Sequence, residues 1–389
     1  MEEFKTYILE ELTIGKGSYG IAAPAIPFNP SKHTYLRITD INDDGTLNKQ
    51  GLMSVDDENA SNYILKENDI VFARTGNSTG RSYFYDGADG ELVYAGFLIK
   101  FSIDKKKVNP RILKYYTHSK PYFNWVRSFD TGGTRGNINA KTYGTMPITL
   151  PSREVQDKIV SILKSLDDKI ELNRRINGNL EQQAQALYAK AFSSTNTCKM
   201  GNVVETTSGG TPSRKNQNYF SSQGIKWIKS KELNGTFIFD SEEHISNDGL
   251  CNSSAKLLPP NSTLIAMYGA TVGAYGLTID NATCNQAICA LLPNSQYPYT
   301  YLYMWAKNNK DELIQKAIGS AQQNISQIII KNMPVANEKD KIIRFDSDTR
   351  YIFSLMKSLA KENYNLIALR DALLPRLMSG ELKINDLNR

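Results

Sequence analysis

Asp69-Ile70-Val71-Phe72-Ala73-Arg74-Thr75-Gly76 is followed, after three residues, by Gly80. Displaced by 193 positions, Ser262-Thr263-Leu264-Ile265-Ala266-Met267-Tyr268-Gly269 is followed by Gly273. Each is a short apolar run ending in a Gly-x3-Gly turn, the pattern of a buried strand. Together they suggest that the chain contains its plan twice. Other blocks agree, in the same order. Tyr35–Ile41 matches Trp227–Leu233, and Leu12 and Gly17 fall on Val204 and Gly209, at a shift of 192. Asn137-Ile138 and Met146-Pro147 match Asn324-Ile325 and Met333-Pro334 at a shift of 187. Asn179-Leu180 and Ala186-Leu187 match Asn365-Leu366 and Ala372-Leu373 at 186. A small, steady drift of the shift is what loop-length differences between two copies produce.

Each copy has a globular part and then a helical part. The expected segments are 1–151, 152–193 for a first long spacer helix, 194–336, and 337–389 for a second long helix with a tail. Pro147, Pro151 and Pro334 punctuate the junctions. Strands are expected at Tyr35–Ile41, Asp69–Ala73, Trp227–Leu233 and Ser262–Met267. Aromatic helical stretches are expected at Arg111–Ser128 and Tyr297–Ala317, which makes the domains mixed α/β (α+β). Their clusters Tyr115-Tyr116, Tyr122-Phe123-x-Trp125 and Tyr301-x-Tyr303-x-Trp305 are read as core.

The helical parts carry heptads. Ile159, Leu166, Leu180 and Leu187 take one position of the first, with Leu163, Ile170, Ala184 and Ala191 at the other. Phe345, Ile352, Leu359, Leu366 and Leu373 take one position of the second, with Met356 and Leu377 at the other. Sustained heptads argue for a coiled coil, and Asn173, Asn177 and Asn363 interrupt the seam as polar residues that specify register. Two repeats tend to pack about a pseudo-twofold, which makes the helix pair antiparallel. About 38 helical residues make a rod of roughly 57 Å.

Composition limits the partners. Of 389 residues 40% are apolar and 22% charged, an ordinary globular balance. No apolar run approaches the length of a membrane span, and Met1-Glu2-Glu3-Phe4-Lys5 has no apolar core of a secretory signal; a cytoplasmic protein is expected. Cys198, Cys251, Cys284 and Cys289 form no C-x2-C pair, and His33, His118 and His244 are scattered. No structural metal is expected, and the cysteines read as small buried hydrophobes. Net charge is +6 and acids nearly balance bases in every segment, so DNA binding would need the charge gathered on one face.

Catalytic motifs are missing. Gly15, Gly17 and Gly20 with Asp40 imitate a dinucleotide fingerprint. Pro24 and Pro27 follow, so no regular helix can start there to hold a pyrophosphate. There is no phosphate loop, no Asn-Pro-Pro-Phe, no His-Glu-x-x-His and no Gly-x-Ser-x-Gly.

Ser208-Gly209-Gly210-Thr211-Pro212-Ser213, Ile225-Lys226-Trp227-Ile228, the Gly-x3-Gly turn, Asn324-Ile325 and Met333-Pro334 resemble a target-recognition domain of type I restriction-modification specificity subunits. Leu373-Leu374-Pro375-Arg376-Leu377-Met378-Ser379-Gly380-Glu381-Leu382 resembles that family's ending, and Lys16-Gly17-Ser18-Tyr19-Gly20 stands in for the Ser-Gly-Gly-Thr-Pro block in the first half. The second helix departs from the first: it lacks the Pro151 and Gln156 entry.

The resemblance implies a non-catalytic subunit. Each globular part would read one half of a bipartite, asymmetric site on double-stranded DNA, with the helices setting the gap. Two modification (methyltransferase) subunits would dock on it, and restriction (translocase and endonuclease) subunits would join. No cofactor is expected in this chain; S-adenosylmethionine, ATP and Mg2+ belong to the partner subunits. Candidate DNA-binding residues are polar or basic side chains flanking the glycine turns. They are Lys16, Ser18, Tyr19, Arg74, Asn77, Ser78 and Arg135 in the first half, and Thr211, Ser213, Arg214, Lys215, Tyr268, Gln322 and Gln323 in the second. The alternative is a non-enzymatic protein-binding scaffold built on the coiled coil.

Overall fold

The computed structural model describes residues 4–129, 136–317 and 324–382. They form two compact units. One is Met1–Asp168 with Ile367–Arg389, the other Lys169–Leu366. The long helices, Arg153–Phe192 and Lys339–Met378, therefore each contribute to both units.

In the first unit, four antiparallel strands lie in the order Ser18–Tyr19, Leu98–Ser102, Asp69–Ala73, Ser82–Tyr85. Every residue of Asp69–Ala73 is buried, so the uninterrupted apolar run makes a central strand. A second sheet has the order Ile26–Pro27, Met53–Val55, His33–Leu36, Leu92–Tyr94, its last pair parallel. Lys5–Ile8 pairs with Pro147–Leu150.

The second unit repeats this scheme. Thr206–Ser208, Ile288–Leu291, Thr263–Ala266 and Tyr275–Thr278 form one sheet, to which Phe237–Ile238 adds a parallel edge. Phe220–Ser221, His244–Ile245, Ile225–Ile228 and Thr283–Cys284 form the other, and Thr197–Lys199 pairs with Pro334–Ala336. Main-chain bonds repeat as well. Leu9 N–H donates to the Met146 carbonyl at 3.0 Å, and Met200 N–H to the Met333 carbonyl at 3.0 Å. Both Gly-x3-Gly turns need glycine, because Gly76, Gly80, Gly269 and Gly273 all have φ between 69° and 86°.

Several local expectations shift. The strand at Tyr35 stops at Leu36 and a 3-10 turn, Ile38–Asp40, follows; Ile228 likewise gives way to Ser230–Glu232. The cause is a side-chain acceptor: Arg37 N–H donates to the Asp40 carboxylate and Lys229 N–H to that of Glu232, both at 2.9 Å, which closes the turn. The counterpart of Gly209 is Gly20, not Gly17. A Cβ on Gly20 would meet the Tyr94 and Ala95 carbonyls, and one on Gly209 those of Cys284 and Asn285. The aromatic stretch at Arg111 breaks into Arg111–Tyr116 and Lys120–Arg127, the latter with Pro121 in its first turn, and the second into Tyr299–Asn308 and Lys310–Gln315. The aromatics are mostly core: Tyr115, Tyr116, Tyr122, Tyr301, Tyr303 and Trp305 are buried, while Phe123 is exposed. Cys284 and Cys289 are buried, and burial pushes both thiols up to about 12; Cys251 is exposed.

Within each unit the long helices pair antiparallel. In the first, Ile159 and Leu163 share a core with Leu374 and Leu377. In the second, Ala184 and Tyr188 share one with Phe345, Phe353 and Met356. Asn173 is fully buried and donates to Asn363 at 3.0 Å; Asn363 donates to the Ile170 carbonyl at 3.1 Å and Asn177 to that of Met356 at 3.2 Å. Bonds from seam amides to the facing backbone favour one register over its slipped neighbours.

On the first helix Ile159, Leu163, Ile170 and Asn173 are buried, whereas Leu166, Asn177, Leu180 and Leu187 are half-buried. On the second, Met356 and Asn363 are buried, but Ile352, Leu359, Leu366 and Leu373 are only half-buried. Their neighbours Phe353 and Leu374 are the buried residues. The reason is a third element. Phe353 meets Tyr299 and Tyr303 edge-on, with ring centroids 5.9 and 5.4 Å away, so the globular part covers one flank of the seam. The entry to the second helix also differs. Gln156 donates to the Pro151 carbonyl and accepts from Asn109 N–H, whereas Glu338 accepts from the Thr195 hydroxyl.

The first unit ties both long helices to the short helix Arg111–Tyr116 through Asp167. Its carboxylate accepts from Lys114 Nζ at 2.7 Å, Tyr115 OH at 3.1 Å and Arg370 Nη1 at 3.1 Å. Burial alone would raise this carboxyl; Lys114 and Arg370 outweigh it and hold it below the usual range. A depressed folded pKa contributes stability above the unfolded value and loses it as pH falls through the folded one. Asp167→Asn leaves the half-buried Lys114 without its carboxylate and Arg370 with Asp371 alone, and should cost about 3 kcal/mol at neutral pH. In chemical denaturation the gap to the parent protein should narrow below about pH 4; a gap constant down to about pH 3 would contradict the assignment.

Candidate nucleic-acid interface

In each unit one set of loops gathers where the strand ends are joined by conserved main-chain geometry of the two copies. In the first, Arg74 follows the central strand, its N–H donating to the Phe97 carbonyl at 3.1 Å and its carbonyl accepting from Ile138 N–H at 2.9 Å. In the second, Met267 N–H donates to the Ala287 carbonyl at 2.7 Å, and its carbonyl accepts from Ile325 N–H at 2.9 Å. The end of the central strand, the residue ahead of the strand Leu98–Ser102 or Ile288–Leu291 and the Asn-Ile segment thus meet by the same bonds twice.

The first cluster brings candidates together. The Arg74 guanidinium lies 5.0 Å from the Tyr19 ring centroid. Tyr19 is 41% exposed and its hydroxyl accepts from Ala140 N–H at 3.1 Å. Ser18 shares a 3.0 Å hydrogen bond with Tyr94. Lys16 and Asn77 are exposed, whereas Ser78 is buried in the turn. Arg135 lies outside the described residues. Phe97, 58% exposed beside Arg74, was not singled out from sequence; its one signal is that it precedes the strand facing Tyr19.

In the second cluster Thr211, Ser213, Arg214 and Lys215 are exposed, and Tyr268 is 39% exposed. Thr211 bonds to Gln286. The Arg214 guanidinium stacks 4.4 Å from the Phe220 centroid and 5.1 Å from that of Trp227, and pairs with Glu243. Arg214 and Lys229 hold the Glu243 carboxyl down to about 2. Gln322 and Gln323 lie outside the described residues. Gln327 was not foreseen: it accepts from Ser208 at 3.1 Å and donates to Thr206 at 2.9 Å, where Ala140 meets Tyr19 in the first unit.

What this arrangement offers is donors, stacked guanidinium groups and exposed aromatic rings, which suit base edges and phosphates. The family model for the type I restriction modification DNA specificity domain matches twice, over residues 3–182 and 193–343.

The chain belongs to the type I restriction-modification DNA specificity family.

Relatives agree along most of its length. It is 24% identical to the Type I restriction enzyme HindI specificity subunit of Haemophilus influenzae, over 82% of this chain and 87% of that one. It is 22% identical to the Type I restriction enzyme MjaIX specificity subunit of Methanocaldococcus jannaschii, over 73% and 72%. Its fold is similar to the crystal structure of the type I restriction-modification S subunit from M. genitalium, with a TM-score of 0.55, 13% identity, and coverage of 97% and 96%. The specificity subunit is a DNA-recognition protein, and catalysis in these systems belongs to its partner subunits. Family membership decides against the bare scaffold. Among the described residues no helix is long and apolar enough to cross a membrane.

Proposed function

We propose that each loop cluster reads one half of a bipartite, asymmetric DNA site, and that the paired helices set the gap between the halves. The observation carrying this reading is that one main-chain frame is built twice, around Arg74 and around Met267, but with different side chains on it. Equal frames give equal approach to DNA, and unequal side chains give unequal half-sites. The helices would dock two modification subunits, joined by restriction subunits, and the assembly would work in the cytoplasm. S-adenosylmethionine, ATP and Mg2+ would be used by those partners, with no cofactor held by this chain.

The test is a domain exchange. Residues 194–336 are replaced by the matching domain of a relative, and the methylated sequences of the host genome are mapped. One half-site should change and the other should stay, with the gap unaltered. Change in both half-sites would rule out two independent readers.

A further inference from the structure

Five arginines of the described residues are half-buried: Arg37, Arg74, Arg81, Arg111 and Arg370. Four are answered by the protein. Arg37 bonds Asp40, Arg81 bonds Asp43 and the Ile41 carbonyl, Arg111 bonds Asp86, and Arg370 bonds Asp167. Arg74 alone has no hydrogen bond or ion pair from its side chain among the described residues, and its Nε is fully buried without an acceptor. A buried donor left unmet is a standing cost of the folded state. The guanidinium is held by packing on Tyr19, 5.0 Å away, and Tyr19 is itself pinned through its hydroxyl by Ala140 N–H. Arg214, the stacked arginine of the other unit, differs because Glu243 answers its charge.

We propose that Arg74 reads a guanine in the half-site recognised by the first unit, presenting its Nη edge to the O6 and N7 of that base while Tyr19 fixes the plane of the fork. This rests on the reading of the first unit as a DNA reader. Guanine offers two acceptors along its major-groove edge, which a planar guanidinium meets with two parallel N–H groups. Adenine places an amino donor where one acceptor should be, so it is rejected. A phosphate contact would need only the charge, and an exposed lysine such as Lys16 supplies that without a stacked and pinned ring. The corresponding residue of the second unit is Met267, 2% exposed, so this reading is confined to one half of the site.

The experiment uses the full complex of this chain with its modification subunits. It methylates a duplex library randomised over both half-sites, and preference is read position by position. The parent complex should prefer guanine at one position of the half-site that survives exchange of residues 194–336. Arg74→Lys keeps the charge but loses the fork. Arg74→Met copies the second unit. Both should lower that one preference about tenfold to a hundredfold and leave the other half-site as it was. Tyr19→Leu removes the platform and should weaken the same position, which keeps the test decisive if an Arg74 variant fails to fold. Unchanged preference at every position, or a loss spread evenly over all of them, would overturn the assignment. A parent complex with no sequence preference at all would instead overturn the DNA-reading role beneath it.

Discussion

Affinity of the assembled complex for its DNA should fall roughly a thousandfold between 50 and 200 mM salt, given about six neutralised phosphates. The chain's own charge is modest, +6 in total, and much of it is spent internally, as at Lys114, Lys229 and Arg370. The exposed Lys16, Lys141 and Lys215 have no ion pair among the described residues and are free to displace counterions. The specificity subunit alone should therefore show a shallower slope and weaker binding than the complex. Lys16→Ala should weaken binding to all sequences alike and reduce the slope by about one. Titrations of the chain and of the complex at several salt concentrations measure both. A flat slope for the complex would remove phosphate contact, and with it this mode of DNA binding.

Phe72→Ala should be among the most damaging single changes, at about 3–5 kcal/mol. The ring is fully buried. It stacks on Tyr143 with centroids 4.7 Å apart and meets Phe101 edge-on at 6.0 Å. Removing it leaves a cavity that a central strand, paired on both sides, cannot collapse to fill. The loss is a large share of the roughly 5–15 kcal/mol that stabilises a typical domain. The site should suffer too, because Tyr143 donates to the Ala73 carbonyl at 3.0 Å, one residue before Arg74. Ile265→Val at the matching place of the other unit trims only one methyl and should cost about 1 kcal/mol. Denaturation midpoints of the two variants check the contrast. A Phe72→Ala loss of under about 1 kcal/mol would mean the ring is not packed as described.

Sequence alone determined the duplication, the mixed α/β domains and the long antiparallel helices. These follow from patterns read along the chain: apolar runs, Gly-x3-Gly turns that require positive φ, and heptads. Such signals are local, and a repeat reinforces each one by showing it twice. Tertiary structure decided what depends on groups distant in sequence. Phe353 is more buried than Ile352 because Tyr299 and Tyr303 cover that flank of the helix. Gly20 matches Gly209 because a carbonyl from another strand leaves no room for a Cβ. Most of the candidate DNA contacts were legible only as polar residues near turns. That Arg74 and Tyr19, fifty-five positions apart, stack on one another while Arg214 is neutralised by Glu243 could come only from the fold, since sheet order brings those side chains together and no local pattern encodes it.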